Sequence, residues 1–537
     1  MAFIYPVVVL AHQAASEGPG PRKRSDARRE QDMQIAAGGR IKVVRGIASC
    51  LILAMALLFL KGCATPVGVR HLDPRQIQQN LTASILSGNS FSAPTMQILN
   101  RSNLTENFRS NPEKVLSELH NGLPTASESD RLFALAELSY AHALENELYS
   151  HYLASAVYAY AFLFPQSGRP DPAPSDLRVR IALDLYNRSL AEAFTTKDRT
   201  GVIIREGNYA LPFGEIALAV NSLDLYWGPF ELENFLQAAE LDVRGLRNRY
   251  RWPGIGAPLA VTTKAMRNVS MSAFSRIPPG ITIPITAFLR IENPDDCLKS
   301  GVVRGQLEFY TTSTATTVDI GGRTVPIEYE TSSALAYTLE GSSLYTLELR
   351  GLFSGDFSII KDRARFRDNI FFMEPYRPGL IPVVFVHGTA SSPARWAEMF
   401  NELQNDRELW GRYQFWLFTY NTGNPITYSA GILADSLRRT VDEFDPSGKD
   451  AALRNMVIIG HSQGGLLAKL TAVDSGSAFW DTSEMGPFKD LQASLENKTM
   501  LRRSSFFTPV PSVKRIIFIA TPHKGSFIAG GWIGRLT

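Results

Sequence analysis

Residues 456–464 read Met456-Val457-Ile458-Ile459-Gly460-His461-Ser462-Gln463-Gly464, an apolar run that ends on a serine held between two glycines. A run of Val and Ile suits a strand buried on both faces, and Leu466 to Val473 behind it predicts a helix. Ser462 thus falls on a sharp strand-to-helix turn. Such a turn forces its apex residue into a backbone region that side-chain-bearing residues rarely adopt, and side chains at Gly460 and Gly464 would collide with it. The helix behind Ser462 aims unbonded N–H groups and the positive end of its dipole at that hydroxyl.

The pattern repeats outward from this turn. Ile381 to Val386 is a continuous apolar run that enters His387-Gly388-Thr389-Ala390-Ser391, with a helix predicted from about Pro393 to Asn405. Gln414 to Tyr420 predicts the next strand and Ser429 to Phe444 the next helix, and Arg515 to Ala520 is a further strand entering Thr521-Pro522-His523-Lys524-Gly525-Ser526. Strands alternating with helices predict an α/β fold, a doubly wound, mostly parallel sheet with right-handed crossovers. In that setting the Gln463 N–H is one donor for an oxyanion. Gly388 lets the preceding loop bend so that the Thr389 N–H supplies a second; one such donor lowers a barrier by roughly 3–4 kcal/mol.

The segments Val386-His387-Gly388, Gly460-His461-Ser462-Gln463-Gly464-Gly465 and Thr521 to Ser526, in this order, resemble the α/β-hydrolase family, lipases and esterases above all. The resemblance covers about residues 366–537. It implies that Ser462 is the catalytic nucleophile, that Thr389 and Gln463 form the oxyanion hole, and that neither a metal nor another cofactor is required. It also implies structural roles for His387 and His461. Lys469 and Asp474, on or just after the following helix, read as solvated.

A serine hydroxyl is a poor nucleophile without a base, and the family orders its triad Ser, then Asp or Glu, then His. Of eight histidines, His523 alone follows Ser462. The family places its acid and histidine further on, normally beyond a lid, whereas this sequence ends at Gly531-Trp532-Ile533-Gly534-Arg535-Leu536-Thr537. The expectation is therefore a C-terminally incomplete domain whose acid and histidine lie beyond residue 537, leaving this chain poorly active. The alternative takes His523 as base, with Asp474, Asp481 or Asp490 as acid.

Upstream the texture differs. From about His71 to Phe194 the pattern is helical: Ser127 and Asp130 offer N-cap chemistry before a helix carrying Leu132, Leu135, Leu138 and Ala141. A second helix places Leu153, Ala156, Val157, Tyr160 and Phe164 on one stripe before Pro165, and a third runs from Asp176 to Phe194. The helices look somewhat like tetratricopeptide units but show no 34-residue period. They read as a spacer or as a surface that binds a protein partner, the spacer being the simpler reading. From about Gly201 to Phe357 short strands and turns take over, among them Ile281 to Ile291, Gln306 to Thr312, and a hairpin Thr317–Ile320/Arg323–Val325 whose Gly321-Gly322 turn needs positive φ. The expected domains are a leader over 1–62, a helical region over 63–200, a β-rich accessory region over 201–365 and the hydrolase-like domain over 366–537.

With 45 % hydrophobic and 20 % charged residues the chain is globular in composition, and its net charge of +3 gives no sign of nucleic-acid binding. Residues 1–62 hold nine Lys and Arg against four acids, a net +5, so the remainder carries −2. Ile47 to Leu60 is apolar but short of the ~20 residues that span a bilayer, and with its basic flank it reads as the core of a secretion signal. It leads into Leu60-Lys61-Gly62-Cys63, which resembles a bacterial lipobox. That resemblance implies lipid attachment at Cys63 and a place in the bacterial cell envelope, on the outer membrane facing the periplasm, since Ala64 stands where aspartate would favour retention in the inner membrane. A short transmembrane anchor or an uncleaved signal is the alternative, and Met33 could be the true start. With Cys63 so used, no internal disulfide is expected, and Cys297 reads as a small buried hydrophobe.

Two functions compete on this reading. One is a membrane-tethered serine hydrolase that cleaves carboxylic esters, lipid or acyl, through an acyl-enzyme on Ser462. The other is an inactive lipoprotein scaffold that binds an envelope partner through its helices.

Overall fold

The computed structural model describes residues 67–123, 128–166, 168–266, 272–278, 280–312, 315–340 and 369–525. The leader, with Cys50 and Cys63, and the Ser127 cap lie outside these residues. The chain divides into two units, Met1–Ile77 and Gln78–Thr537. Of the first, residues 67–77 are described, an exposed stretch that enters helix α1 (Pro74–Thr82). No described helix is long and apolar enough to cross a membrane.

The second unit opens with helices α2 (Ala93–Arg101), α3 (Thr105–Ser110), α4 (Pro112–Asn121), α5 (Glu128–Asn146), α6 (Tyr149–Leu163) and α7 (Leu177–Ala193). The third predicted helix begins where expected, at Asp176, which caps α7 by accepting from the Arg178 N–H at 2.9 Å. Asp130 does not cap α5; it sits in the first turn and its carboxylate takes the Arg178 guanidinium at 2.5 Å. The expected apolar stripes turn out to be whole circumferences: residues 132–143 of α5 and 151–163 of α6 are buried on every side. These helices are interior, so their polar residues must find partners. Glu137 does so by accepting from the Ser92 and Thr95 hydroxyls, both at 2.6 Å, and from the Ile85 and Ser92 N–H groups.

Strands follow: β1 (Gly207–Leu211), β2 (Gly214–Val220), β3 (Tyr226–Trp227), β4 (Phe230–Gln237), β5 (Arg251–Trp252), β6 (Ala257–Ala265), β7 (Thr282–Ile291), then α8 (Pro294–Ser300) and β8 (Val302–Thr311). They build a seven-stranded sheet ordered β1-β2-β8-β7-β6-β4-β3, antiparallel except for β2 beside β8. The predicted hairpin forms as β9 (Thr317–Ile320) and β10 (Arg323–Pro326), with φ of 60° and 80° at Gly321 and Gly322. Strand β11 (Tyr329–Glu330) pairs with β5, and α9 (Ser332–Glu340) follows. Cys297 is buried, its thiol donating to the Glu292 carbonyl at 3.2 Å.

The last sheet comprises β12 (Ile370–Phe372), β13 (Ile381–Val386), β14 (Tyr413–Phe418), β15 (Met456–His461) and β16 (Val513–Ile519), ordered β12-β14-β13-β15-β16 and parallel except for β12. Helices α10 (Ala397–Asn405), α11 (Arg407–Trp410), α12 (Ile426–Phe444), α13 (Gln463–Leu470) and α14 (Leu495–Ser505) connect or follow its strands. Alternate residues of β13 serve opposite faces. Val383 and Phe385 pack with Trp396 and Phe400 beside α10, while Val384 and Val386 join the core that holds Ala430, Leu433 and Leu437 of α12. Both faces are covered, which is the doubly wound arrangement expected from the sequence. Strand β16 is the outermost described strand on its side, with Ile517 and Phe518 exposed.

Candidate active site

From β13 the chain steps to β14 on one side and then crosses to β15 on the other, so the order reverses between β13 and β15. Doubly wound sheets bind ligands at the carboxyl ends of the strands flanking such a reversal. The loops found there are His387 to Ser391, after β13, and the turn at Ser462, after β15.

Ser462 has φ 51° and ψ −121°, a backbone conformation costly for any residue with a side chain, of order 1–3 kcal/mol. Its surroundings hold it there. The Ser462 N–H donates to the Ile519 carbonyl of β16 at 2.8 Å, and its own carbonyl accepts from the Gly465 N–H at 3.1 Å. A Cβ on Gly464 would strike the carbonyl oxygens of Val386 and His387, so the elbow helix packs directly on the end of β13. A Cβ on Gly388 would stand 3.0 Å from the Ser462 Cβ. Gly465 in turn lies against the Thr521 hydroxyl. All three sequence segments therefore meet at one place.

Ser462 is half-buried, and among the described residues its hydroxyl hydrogen-bonds no protein group. Thr389 is exposed and its hydroxyl donates to Oε1 of the buried Gln463 at 2.6 Å, clasping the two loops together. Neither the Thr389 nor the Gln463 backbone N–H is engaged by a protein acceptor among the described residues. Both amides are thus free to receive a negative oxygen. The side-chain clasp is a feature that sequence reasoning missed, because nothing in the spacing of residues 389 and 463 announces it.

The two histidines beside this site differ. His387 is buried, stacks on Tyr420 with ring centroids 4.5 Å apart, and bonds the Gly388 carbonyl through Nδ1 at 3.1 Å. Burial drives its pKa down to about 4, so the ring is neutral near pH 7 and its Nε2 lies buried without a partner. The Tyr420 hydroxyl donates to the His387 carbonyl at 2.8 Å and fixes the loop behind the site. His461 is exposed, edge-on to Trp396 at 6.5 Å. Lys469 and Asp474 are exposed, as expected.

His523 is exposed too, its ring against that of Phe518 at 4.6 Å. Among the described residues it hydrogen-bonds no carboxylate. Asp481 accepts from the Ser477 hydroxyl at 2.6 Å, Asp474 from the Gly476 N–H at 3.0 Å, and Asp490 is exposed. The site therefore brings together Ser462, Thr389 and Gln463, and leaves His523 unassociated with any of the three candidate acids.

Residues 383–535 match the family described as "Alpha/beta hydrolase family". No curated protein matches the sequence. Among solved structures, the chain is similar to Bacillus licheniformis lipase BlEst2 in its propeptide form at 22 % identity and a TM-score of 0.19, over 31 % of this chain and 29 % of that one. For the mature form of the same lipase the identity is 21 % and the TM-score 0.19, over 30 % and 52 %. The chain thus spans less than a third of the first and about half of the second. Topology, the strained serine and the family match agree on an α/β-hydrolase domain in the carboxyl-terminal region of the chain.

Proposed function

We propose that the protein is a serine hydrolase that cleaves carboxylic esters, lipid or acyl, through an acyl-enzyme on Ser462. The observation that carries this reading is the Ser462 backbone at φ 51°, ψ −121°, held between a glycine loop and two unengaged amides. Strain is retained where it serves chemistry, because an inert domain gains nothing from it. The Ser462 oxygen attacks the ester carbonyl while a base takes its proton. The carbonyl oxygen becomes an oxyanion facing the Thr389 and Gln463 N–H groups, and its collapse expels the alcohol, which takes up the proton. Water then repeats the sequence on the acyl-serine and releases the acid.

The same reading tethers the protein through a lipid on Cys63 to the bacterial outer membrane, facing the periplasm, which makes membrane or envelope esters natural substrates. A membrane-directed leader and the lipobox-like residues 60–63 support it.

The experiment is covalent labelling of the full chain with a fluorophosphonate probe. We expect one adduct, on Ser462, lost in Ser462→Ala together with chromogenic ester hydrolysis. A folded protein whose Ser462 remains unlabelled both in these 537 residues and with any continuation read from the coding DNA would overturn the reading. It would favour the scaffold alternative, in which the helices bind an envelope partner and the domain is catalytically silent. The hydroxyl's lack of a hydrogen-bonded imidazole among the described residues is the observation on that side. Loss of labelling on His523→Ala would identify the base as His523. Labelling that requires an Asp and a His read from the coding DNA past residue 537 would place the base there.

A further inference from the structure

Far from Ser462 in sequence, three helices bring Glu113, His142 and His151 to one point. Glu113 lies in the first turn of α4, His142 in the last turns of α5, and His151 at the start of α6, across the tight α5–α6 connection. The His142 Nε2 is 3.3 Å from one Glu113 oxygen and the His151 Nε2 is 3.4 Å from the other. Potential ligand atoms of the three residues all fall within 4.8 Å of one another. The two rings meet edge to face with centroids 4.8 Å apart.

Packing does not account for this arrangement. The His142 and His151 side chains are only 9 % and 6 % exposed, and two imidazoles side by side in an otherwise Ala- and Leu-rich interior bring four ring nitrogens that must be satisfied. His151 Nε2 is buried with no hydrogen-bond partner, although it faces the Glu113 carboxylate. The remaining nitrogens have suitable neighbours: the Asn146 amide lies 3.2 Å from the His142 Nδ1, and the Ser150 hydroxyl 3.3 Å from the His151 Nδ1. The Asn146 amide nitrogen, which also donates to the His142 carbonyl at 3.1 Å, donates to the His142 Nδ1, so the His142 Nε2 holds its proton toward Glu113 and a cation would displace that proton. The Ser150 hydroxyl can accept from the His151 Nδ1, which leaves the His151 Nε2 lone pair unprotonated, the orientation usual for ligating histidines.

Spacing makes the chemistry specific. Metal–ligand bonds of about 2.0–2.1 Å at a tetrahedral angle put ligand atoms roughly 3.4 Å apart. The two nitrogen–oxygen distances are 3.3 and 3.4 Å, each to a different Glu113 oxygen, and with all ligand atoms within 4.8 Å of one another a small closing of the three side chains completes the set. Two imidazoles with one carboxylate suit zinc and its first-row neighbours, whereas calcium and magnesium take oxygen ligands. We propose that Glu113, His142 and His151 form a binding site for a divalent transition cation, Zn²⁺ fitting best, with a fourth position open to water on the exposed side of Glu113. A bound cation would fasten α4 to the α5–α6 hairpin. The site stands apart from the Ser462 reading and does not depend on it.

The test uses the full chain stripped with a chelator and titrated with Zn²⁺ by calorimetry, and with Co²⁺ by its visible ligand-field absorption. One ion per chain is expected at neutral pH, with the thermal midpoint raised as binding to the native state alone requires. Glu113→Gln changes an exposed side chain and leaves both rings in place; it should weaken binding at least about tenfold, and His142→Gln and His151→Gln should abolish it. If either histidine variant fails to fold by circular dichroism, Glu113→Gln and Glu113→Ala carry the comparison. Absence of binding at neutral pH would overturn the proposal and leave the cluster as a hydrogen-bonded histidine pair. One-to-one binding that survives in every folded variant would overturn it equally.

Discussion

His387 shows how a single side chain beside the candidate site governs stability. Its unfolded pKa near 6.5 falls to about 4 in the folded protein, because burial disfavours the charged ring. Between these values the unfolded chain holds the extra proton, so stability decreases as pH falls through roughly 6.5 to 4 and is regained as pH rises. The full effect amounts to about 3 kcal/mol. Urea unfolding at about pH 7 and about pH 4.5 should show this loss, and His387→Asn, which keeps a donor for the Gly388 carbonyl, should shrink it. An unchanged pH dependence in the variant would refute this account. At this scale the sequence was informative about Ser462, since a serine between glycines after an apolar run already implies a strained turn. It was silent about the Thr389–Gln463 clasp and the Glu113–His142–His151 cluster, which exist only once distant segments meet.

Among elements, the apolar strands of the parallel sheet were the most legible. β13 occupies the predicted Ile381–Val386, and β14, β15 and β16 begin within two residues of expectation. Continuous apolar runs carry that signal without needing a period. Strand β1, at one edge of the seven-stranded sheet, and β4, one in from the other edge, read poorly because charged and apolar residues mix in GNYAL and FELENFLQ. The α5 and α6 helices were located by their composition, but their all-round burial was not foreseen, since a stripe predicts one covered face and tertiary packing covered the rest. Helix α7 fastens the helical region to the seven-stranded sheet. The fully buried Tyr186 hydroxyl donates to the Leu289 carbonyl of β7 at 2.7 Å and accepts from the Leu289 N–H at 2.8 Å. Tyr186→Phe leaves both backbone groups unpaired and should cost about 1–3 kcal/mol in urea-unfolding experiments. A loss within a few tenths of zero would show that the bond is dispensable.

At the scale of the second unit, one hydrophobic core runs from Ile98 and Leu99 of α2 through the β6–β7 strands to Ile458 and Leu467 of the hydrolase domain. Polar contacts reinforce it. Buried Asn401 and Asn405 of α10 bond the Asn248 carbonyl, the Ser332 and Thr331 hydroxyls and the Trp252 indole, and Arg276 pairs with Glu443 of α12 at 2.7 Å. Elements so joined should melt together. Calorimetry and tryptophan fluorescence are expected to report one coincident transition, and two separated transitions would contradict the shared core. The outer margin of β16 works in the opposite direction. Among the described residues its outer backbone row pairs with no further strand, and with Ile517 and Phe518 exposed it offers a neighbouring molecule the same adhesive surface that β15 already uses. Crowding therefore favours stacking of one copy on the next, and shelf life in concentrated solution will be decided at this rim while the turn at Ser462 is still intact.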